Sequence, residues 1–311
     1  MFNQTRTAII AIMLIIPLST IAMWNSTRFQ EFPETSVENR KIVALASFYP
    51  LYEFTKEVGK DKVDVSLLVP PGIEPHDWEP SIQDLKRMQQ ADIIIINGIG
   101  FEKWFEDIKK LNSELAIIDS SIGINILKEI NIDEHEDSHL DDSLANPHIW
   151  LNPPMVKIQI KNIADGLIEL DPDNSSYYQN NSKNYIKKLD ALDSKIRNEL
   201  SNCSKDFVSL HNAFTYFAKE YGLNQHTIVL NEPHGEPTSK TLEKIINFAK
   251  EMKIKVIFTE EGVDKRTSEV IADELGGKVL TLSPLEISET SATYIEKMEA
   301  NLANLKEALC N

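Results

Sequence analysis

An α/β fold of two similar lobes is predicted by three features of this 311-residue chain. Short apolar runs alternate with amphipathic helical stretches, the pattern of strands followed by helices. Four such runs fall in each half of the chain. Between the halves, Asn174 to Leu200 contains neither Gly nor Pro and repeats apolar residues at Tyr178, Tyr185, Ile186, Leu189, Leu192 and Ile196. That spacing predicts one long helix, about 40 Å long at 1.5 Å per residue, acting as a stiff strut.

The chain begins with a targeting segment. After Arg6 an apolar run extends from Ala8 to Trp24, interrupted only by Pro17, Ser19 and Thr20. It is at the short limit for a membrane span and long for a signal-peptide core. Thr20 and Ala22 would make a weak cleavage site, so residues 1–24 are expected to be retained as an anchor rather than cleaved. Either outcome puts the body of the protein outside the cytoplasm. No Cys precedes Cys203, so a lipoprotein anchor is not expected. Residues 25–40 are a polar tether without apolar periodicity.

Strands are expected at Ile42–Phe48, Val63–Val69, Ile93–Asn97 and Ala116–Asp119, within a first lobe of residues 41–170. Residues 171–203 form the linking helix. A second lobe, residues 204–311, is expected to carry strands at Phe207–Leu210, Thr227–Leu230, Val256–Thr259 and Val279–Leu282. An internal echo supports related halves: Glu74-Pro75-His76 then Glu79-Pro80-Ser81 before one helix, and Glu232-Pro233-His234 then Glu236-Pro237-Thr238 before another. Ser81 with Asp84 has the form of a capping box. In an extracytoplasmic compartment Cys203 and Cys310 can pair, and one structural disulfide is preferred to two buried thiols.

Composition narrows the partners. A hydrophobic content of 42% is ample for two cores, and a net charge of −16 argues against nucleic acid, which needs clustered Lys and Arg. An acidic surface does not repel cations.

Several stiff turns present single side chains able to bind such a cation. Pro70 to Pro80, PPGIEPHDWEP, is a proline-rich loop after a strand and offers His76. Asn146 to Pro153, NPHIWLNP, offers His148 in the same manner. His211 ends a strand, and Ser283-Pro284-Leu285-Glu286 follows another and offers a carboxylate. Three imidazoles and a carboxylate can complete a tetrahedron around zinc. The separations between them match no short zinc motif, so spacing alone leaves this set open.

Taken together these motifs resemble the metal-binding solute-binding proteins of ABC importers, the cluster A-I family, and within it the zinc-binding branch. The resemblance runs from about Lys41 to Leu309 and includes PPGIEPHDWEPS with ADIIIING, NPHIWLNP, SLHNAFTYFAKEYGL, GEPTSKTLEKII with VIFTEE, TLSPLE, and the closing YIEKMEANLANLKEAL. It implies two (β/α) lobes with four-stranded parallel-type sheets joined by one rigid helix, and metal in the cleft between them. By motif, His76 and His148 are the ligands from the first lobe. His211 stands at the third position, where manganese-binding relatives commonly have Glu. Relatives differ at the fourth position; Ser283 stands where some have Asp, and Glu286 matches those with Glu, against water as the alternative. The transported ion is expected to be zinc, with manganese the alternative. The partner is an ABC permease membrane subunit, and the chain is expected to be a monomer.

Other residues receive lesser roles. Asn131 to Asn146 is an acidic loop with His135 and His139; such charge runs are usually just solvated, and relatives carry a metal-recruiting loop here, so a weak auxiliary site is the sharper reading. His234 is read as exposed and His226 as structural. Glu260 and Glu261 follow a strand near the cleft and could support a ligand. A zinc hydrolase is the competing function, but it needs an open coordination position and a general base, and Glu286 as a fourth ligand would close the site and leave no water to activate. A surface adhesin of the same family is a further alternative.

Overall fold

The computed structural model describes residues 40–111, 115–127, 145–228, 237–287 and 291–310. The N-terminal apolar segment, most of the tether, the acidic loop with His135 and His139, and His234 lie outside the described residues. Among the described residues no helix is long and apolar enough to cross a membrane.

In the first lobe β1 (Ile42–Ala46), β2 (Val63–Leu67), β3 (Ile93–Ile96) and β4 (Ile117–Asp119) form one sheet in the order β2-β1-β3-β4. In the second, β5 (Asp206–Ser209), β6 (Asn224–Thr227), β7 (Val256–Thr259) and β8 (Lys278–Thr281) repeat that order as β6-β5-β7-β8. Every pairing is parallel. Parallel strands need crossover connections, and helices supply them: α1 (Tyr49–Gly59), α2 (Ile82–Gln90) and α3 (Phe105–Leu111) in the first lobe, α6 (Thr215–Tyr221), α7 (Ser239–Glu251) and α8 (Arg266–Glu274) in the second. The shared strand order agrees with the echo in the sequence.

The sheets are covered on both faces, as parallel sheets are. Along β3, Ile93 and Ile95 enter the large central core while Ile94 and Ile96 pack with Leu45, Leu68 and Met88 on the opposite face. In β7, Val256 and Phe258 point to the central core and Ile257 to the outer one. Ser81 caps α2 with Asp84 closing the capping box, and Thr238 caps α7.

One strand departs from expectation. The apolar run from Thr227 suggested a strand there, yet β6 is the polar segment Asn224–Thr227. Among the described residues it lies at the edge of its sheet, paired with β5 alone. An edge strand has one unpaired flank and tolerates polar side chains, so hydrophobicity misplaced it.

The connection between lobes runs through α4 (Pro153–Leu170), a short 3-10 turn at Pro172–Asn174, and α5 (Ser175–Leu200), which is 26 residues long. Its Tyr178, Tyr185, Leu189, Leu192, Ile196 and Leu200 are buried on one face. They belong to a core that includes Phe54 and Trp150 of the first lobe and Phe217, Tyr294 and Leu305 of the second. The last helix, α9 (Tyr294–Leu309), lies against α5 through Lys195–Glu299 and Lys306–Glu199 ion pairs. Cys203 and Cys310 form a disulfide just beyond the two helix ends.

Candidate metal centre

The carboxyl ends of both sheets face the cleft between the lobes, where α/β sheets place ligands. His76 lies in the proline-rich loop after β2. His148 lies in the connection after β4 and opens a 3-10 turn, Ile149–Leu151. His211 follows β5 and Glu286 follows β8. All four are buried.

Their ligating atoms converge. The Nε2 atoms of His76 and His148 are 3.3 Å apart, and those of His148 and His211 3.2 Å. Glu286 Oε1 lies 3.3 Å from His76 Nε2 and 3.1 Å from His148 Nε2. One atom from each residue lies within 4.8 Å of all the others. Donors bound tetrahedrally about 2.0–2.1 Å from zinc stand roughly 3.3 Å from one another. Four edges of the group therefore already have the length of a zinc tetrahedron. Glu286 Oε2 is buried and finds no hydrogen-bond partner among the described residues. A cation beside the carboxylate would offset that cost. Three imidazoles and one carboxylate fit zinc better than manganese, which favours oxygen donors in octahedral geometry.

Two of the rings are oriented from behind by a bond to Nδ1. Asn146 Oδ1 accepts both the backbone N–H of His148 at 3.0 Å and its Nδ1–H at 2.9 Å. Glu260 Oε1 does the same for His211, at 3.2 Å from the backbone nitrogen and 2.7 Å from Nδ1. Both devices leave Nε2 to face the cleft, the arrangement that fixes a ligand's tautomer. Glu74 accepts the backbone N–H of His76 at 3.2 Å, and Phe101 packs edge-on against the His76 ring.

Glu286 is aimed by a strained turn. Leu285 has φ 61°, a left-handed conformation costly for a branched residue. Surrounding bonds hold it: Leu285 N–H donates to Ser283 Oγ, Asn301 on α9 brackets the Ser283 backbone, and the Trp150 indole donates to Pro284 O at 2.7 Å. That last bond crosses the cleft, as does Asn146 Nδ2 to Asn212 O at 3.1 Å.

Electrostatics in the metal-free site follow from burial and neighbours. Burial pushes His148 down to about 3. Burial also works against a charged His211, but the adjacent Glu260 carboxylate outweighs it and raises the ring to about 9. Burial opposes ionisation of Glu286, yet the facing His76 and His148 rings hold its carboxyl well below the usual range. Burial, then the nearby Glu286, raises Glu74 to about 7.

The structure thus brings together all four residues singled out in the sequence. Glu260 supports His211, whereas Glu261 instead pairs with Lys297 at 3.2 Å. His226 is away from this group, bonded to Asp206 and packed on Phe248. Asn146 was not recognised, although an Asn two residues before a His is the spacing of a local side-chain turn.

Comparison with known proteins agrees with this geometry. Residues 44–308 match the family model described as zinc-uptake complex component A, periplasmic. The high-affinity zinc uptake system protein ZnuA of Bacillus subtilis is 38% identical over 285 residues, covering 86% of this chain and 88% of that protein. The zinc-binding protein AdcA of Streptococcus pyogenes is 31% identical over 313 residues, and this chain spans 61% of its length. Among solved structures, a ZnuA crystal structure superposes with TM-score 0.77 at 33% identity, covering 86% of this chain and 99% of that one. The laminin-binding protein of Streptococcus agalactiae, described as having adhesin and metal-transporting activity, gives 0.77 at 31% identity, with 86% and 99% covered. This chain belongs to the family of periplasmic zinc-uptake complex component A proteins.

Proposed function

We propose that the protein is an extracytoplasmic high-affinity zinc receptor that binds Zn²⁺ through His76, His148, His211 and Glu286 and delivers it to an ABC permease. The observation that carries this reading is the buried convergence of those four donors in the cleft of a zinc-uptake family fold. Zinc is the cargo, so the site must bind tightly yet release. A cleft between lobes suits both demands, because a shift of one lobe separates His76 and His148 from His211 and Glu286.

Four protein donors also favour a receptor over an enzyme. They close the coordination sphere and leave no position for an activated water. The apolar segment at residues 8–24 is the expected means of holding the protein at the membrane, where a monomer meets its permease. Adhesion is a second reading, favoured by the likeness to the laminin-binding structure.

Metal analysis of protein purified without added metal, followed by competition titration, tests the proposal. One zinc per chain, bound more tightly than manganese, is expected. Preference for manganese, or no stoichiometric metal, would overturn it. Laminin binding measured on the same protein, with and without zinc, tests the second reading.

A further inference from the structure

Glu102 is a buried carboxylate for which zinc binding provides no direct role. It sits beneath the carboxyl ends of the two central strands of the first lobe. Oε1 accepts from Ser47 Oγ at 2.6 Å and from the backbone N–H of Asn97 at 2.7 Å, and Oε2 accepts from the N–H of Gly98 at 3.1 Å. Ser47 follows β1, and Asn97 and Gly98 follow β3, so one side chain ties adjacent strand ends together.

Two arms lead from it to the metal site. Asn97 Nδ2 donates to Pro147 O at 2.9 Å, directly before His148, and Gln159 Nε2 holds the Asn97 amide from the other side at 3.2 Å. Phe101, the neighbour of Glu102, stands edge-on to the His76 ring with centroids 4.8 Å apart. Phe101 also packs on Phe48 and Trp150, and Trp150 packs on His148.

The backbone is strained to bring this about. Gly98, Ile99 and Gly100 are successive residues with φ of 81°, 59° and 75°. A Cβ on Gly98 would sit 2.2 Å from Asp119 Oδ1, and Ile99 occupies a region that side chains disfavour. Strain of this kind persists where surrounding structure over-determines it. Here it folds the chain back so that Phe101 and Glu102 lie under the strand ends.

We propose that Glu102 is a positioning residue of the metal site, holding His148 through Asn97 and His76 through Phe101. The inference rests on the assignment of those two histidines as ligands. A carboxylate that only capped strand ends would affect folding and leave the metal geometry alone.

Glu102→Gln places an amide N–H against the N–H of Gly98, and Asn97→Ala removes the arm to Pro147 while leaving the carboxylate in place. Both variants, their combination and the unaltered chain are titrated with zinc in competition, and their Co²⁺ complexes are compared by visible absorption. Each single variant is expected to bind zinc about tenfold more weakly and to change the Co²⁺ ligand-field bands. The double variant should lose less than the product of the two single losses, because both act on one path. Wild-type affinity and unchanged Co²⁺ bands in both single variants would overturn the inference, whatever happens to metal-free stability. If Glu102→Gln does not fold, Asn97→Ala decides the His148 arm alone. Absence of zinc binding by the unaltered chain would remove the receptor reading and this inference together.

Discussion

Glu260 Oε1 lies 2.7 Å from Nδ1 of His211, and the same oxygen accepts the His211 backbone N–H. In the other lobe Asn146 Oδ1 makes the same pair of bonds to His148. The two devices are geometrically alike but differ in charge. The anion on the His211 side raises the basicity of its Nε2 and helps offset the charge of a dication.

Glu260→Gln keeps an acceptor within reach of Nδ1 and removes only the charge, whereas Glu260→Ala removes both. Zinc affinity should fall about tenfold for the first and about a hundredfold for the second. Competition titration with a chromophoric chelator checks this. Equal, wild-type affinity in both would mean that Glu260 serves only the fold.

Alanine at His76, His148 or His211 should weaken zinc binding by orders of magnitude with secondary structure retained. Each loss leaves a coordination position to water, and the strands and helices are held by the apolar cores rather than by these rings. Circular dichroism and zinc titration on the same samples separate the two effects. Unchanged affinity in any one variant would dismiss that residue as a ligand.

Most of the fold was legible because both sheets obey simple rules. Ile93 to Ile96 is an unbroken apolar run because β3 is covered on both faces. The long helix was legible from its buried stripe. β6 was not, because an edge strand reading Asn-Gln-His-Thr has no hydrophobic signature. The four converging donors were visible as single residues in stiff turns, and their grouping came through resemblance, since separations this long carry no geometric information. The supports were less visible. Asn146 had a local signal that went unread. Glu102 had none, because Ser47 is far away in sequence and the N–H groups of Asn97 and Gly98 reach its carboxylate only through the left-handed turn from Gly98 to Gly100.

Glu102 also sets a pH dependence. Burial raises its carboxyl to about 7 against the three hydrogen bonds from Ser47, Asn97 and Gly98, all of which favour the ionised form. In the unfolded chain it titrates near the ordinary value of about 4.3. Between these values the folded state keeps a proton that the unfolded state releases, so stability falls as pH rises. The contribution is fully present below about pH 4 and lost as pH passes about 7. The melting temperature of the metal-free protein relative to Glu102→Gln should therefore decline from pH 4.5 to pH 7 and level off above. A difference independent of pH would refute the raised value.

The disulfide lies at the end of the second lobe away from the cleft, since Cys203 precedes β5 and His211 follows it. It closes a loop with sequence separation 107. Cys203→Ser with Cys310→Ser should lower stability by about 2–5 kcal/mol, read as a lower denaturant midpoint, and leave zinc affinity within about twofold of wild type. A large loss of affinity would show that the bond also sets the position of the second lobe.

Glu286 decides between a closed site and an open one. Its Oε1 lies 3.3 Å from His76 and 3.1 Å from His148, while Oε2 is buried without a partner. The left-handed turn at Leu285 and the bond from Trp150 to Pro284 hold it in place across the cleft. A carboxylate beside three imidazoles, which must be neutral to hold a metal, favours a dication and fills the fourth position. Glu286→Ala should therefore weaken zinc binding less than loss of any histidine, because water can enter the vacated space. Zinc should also dissociate faster, since water is displaced more easily than a buried carboxylate. Stopped-flow transfer of zinc to a chelator measures that rate, and equilibrium competition measures the affinity. A crystal structure with zinc held by three histidines and a water, Glu286 turned away, would overturn the assignment. The open position would then make hydrolytic chemistry a reading to test again.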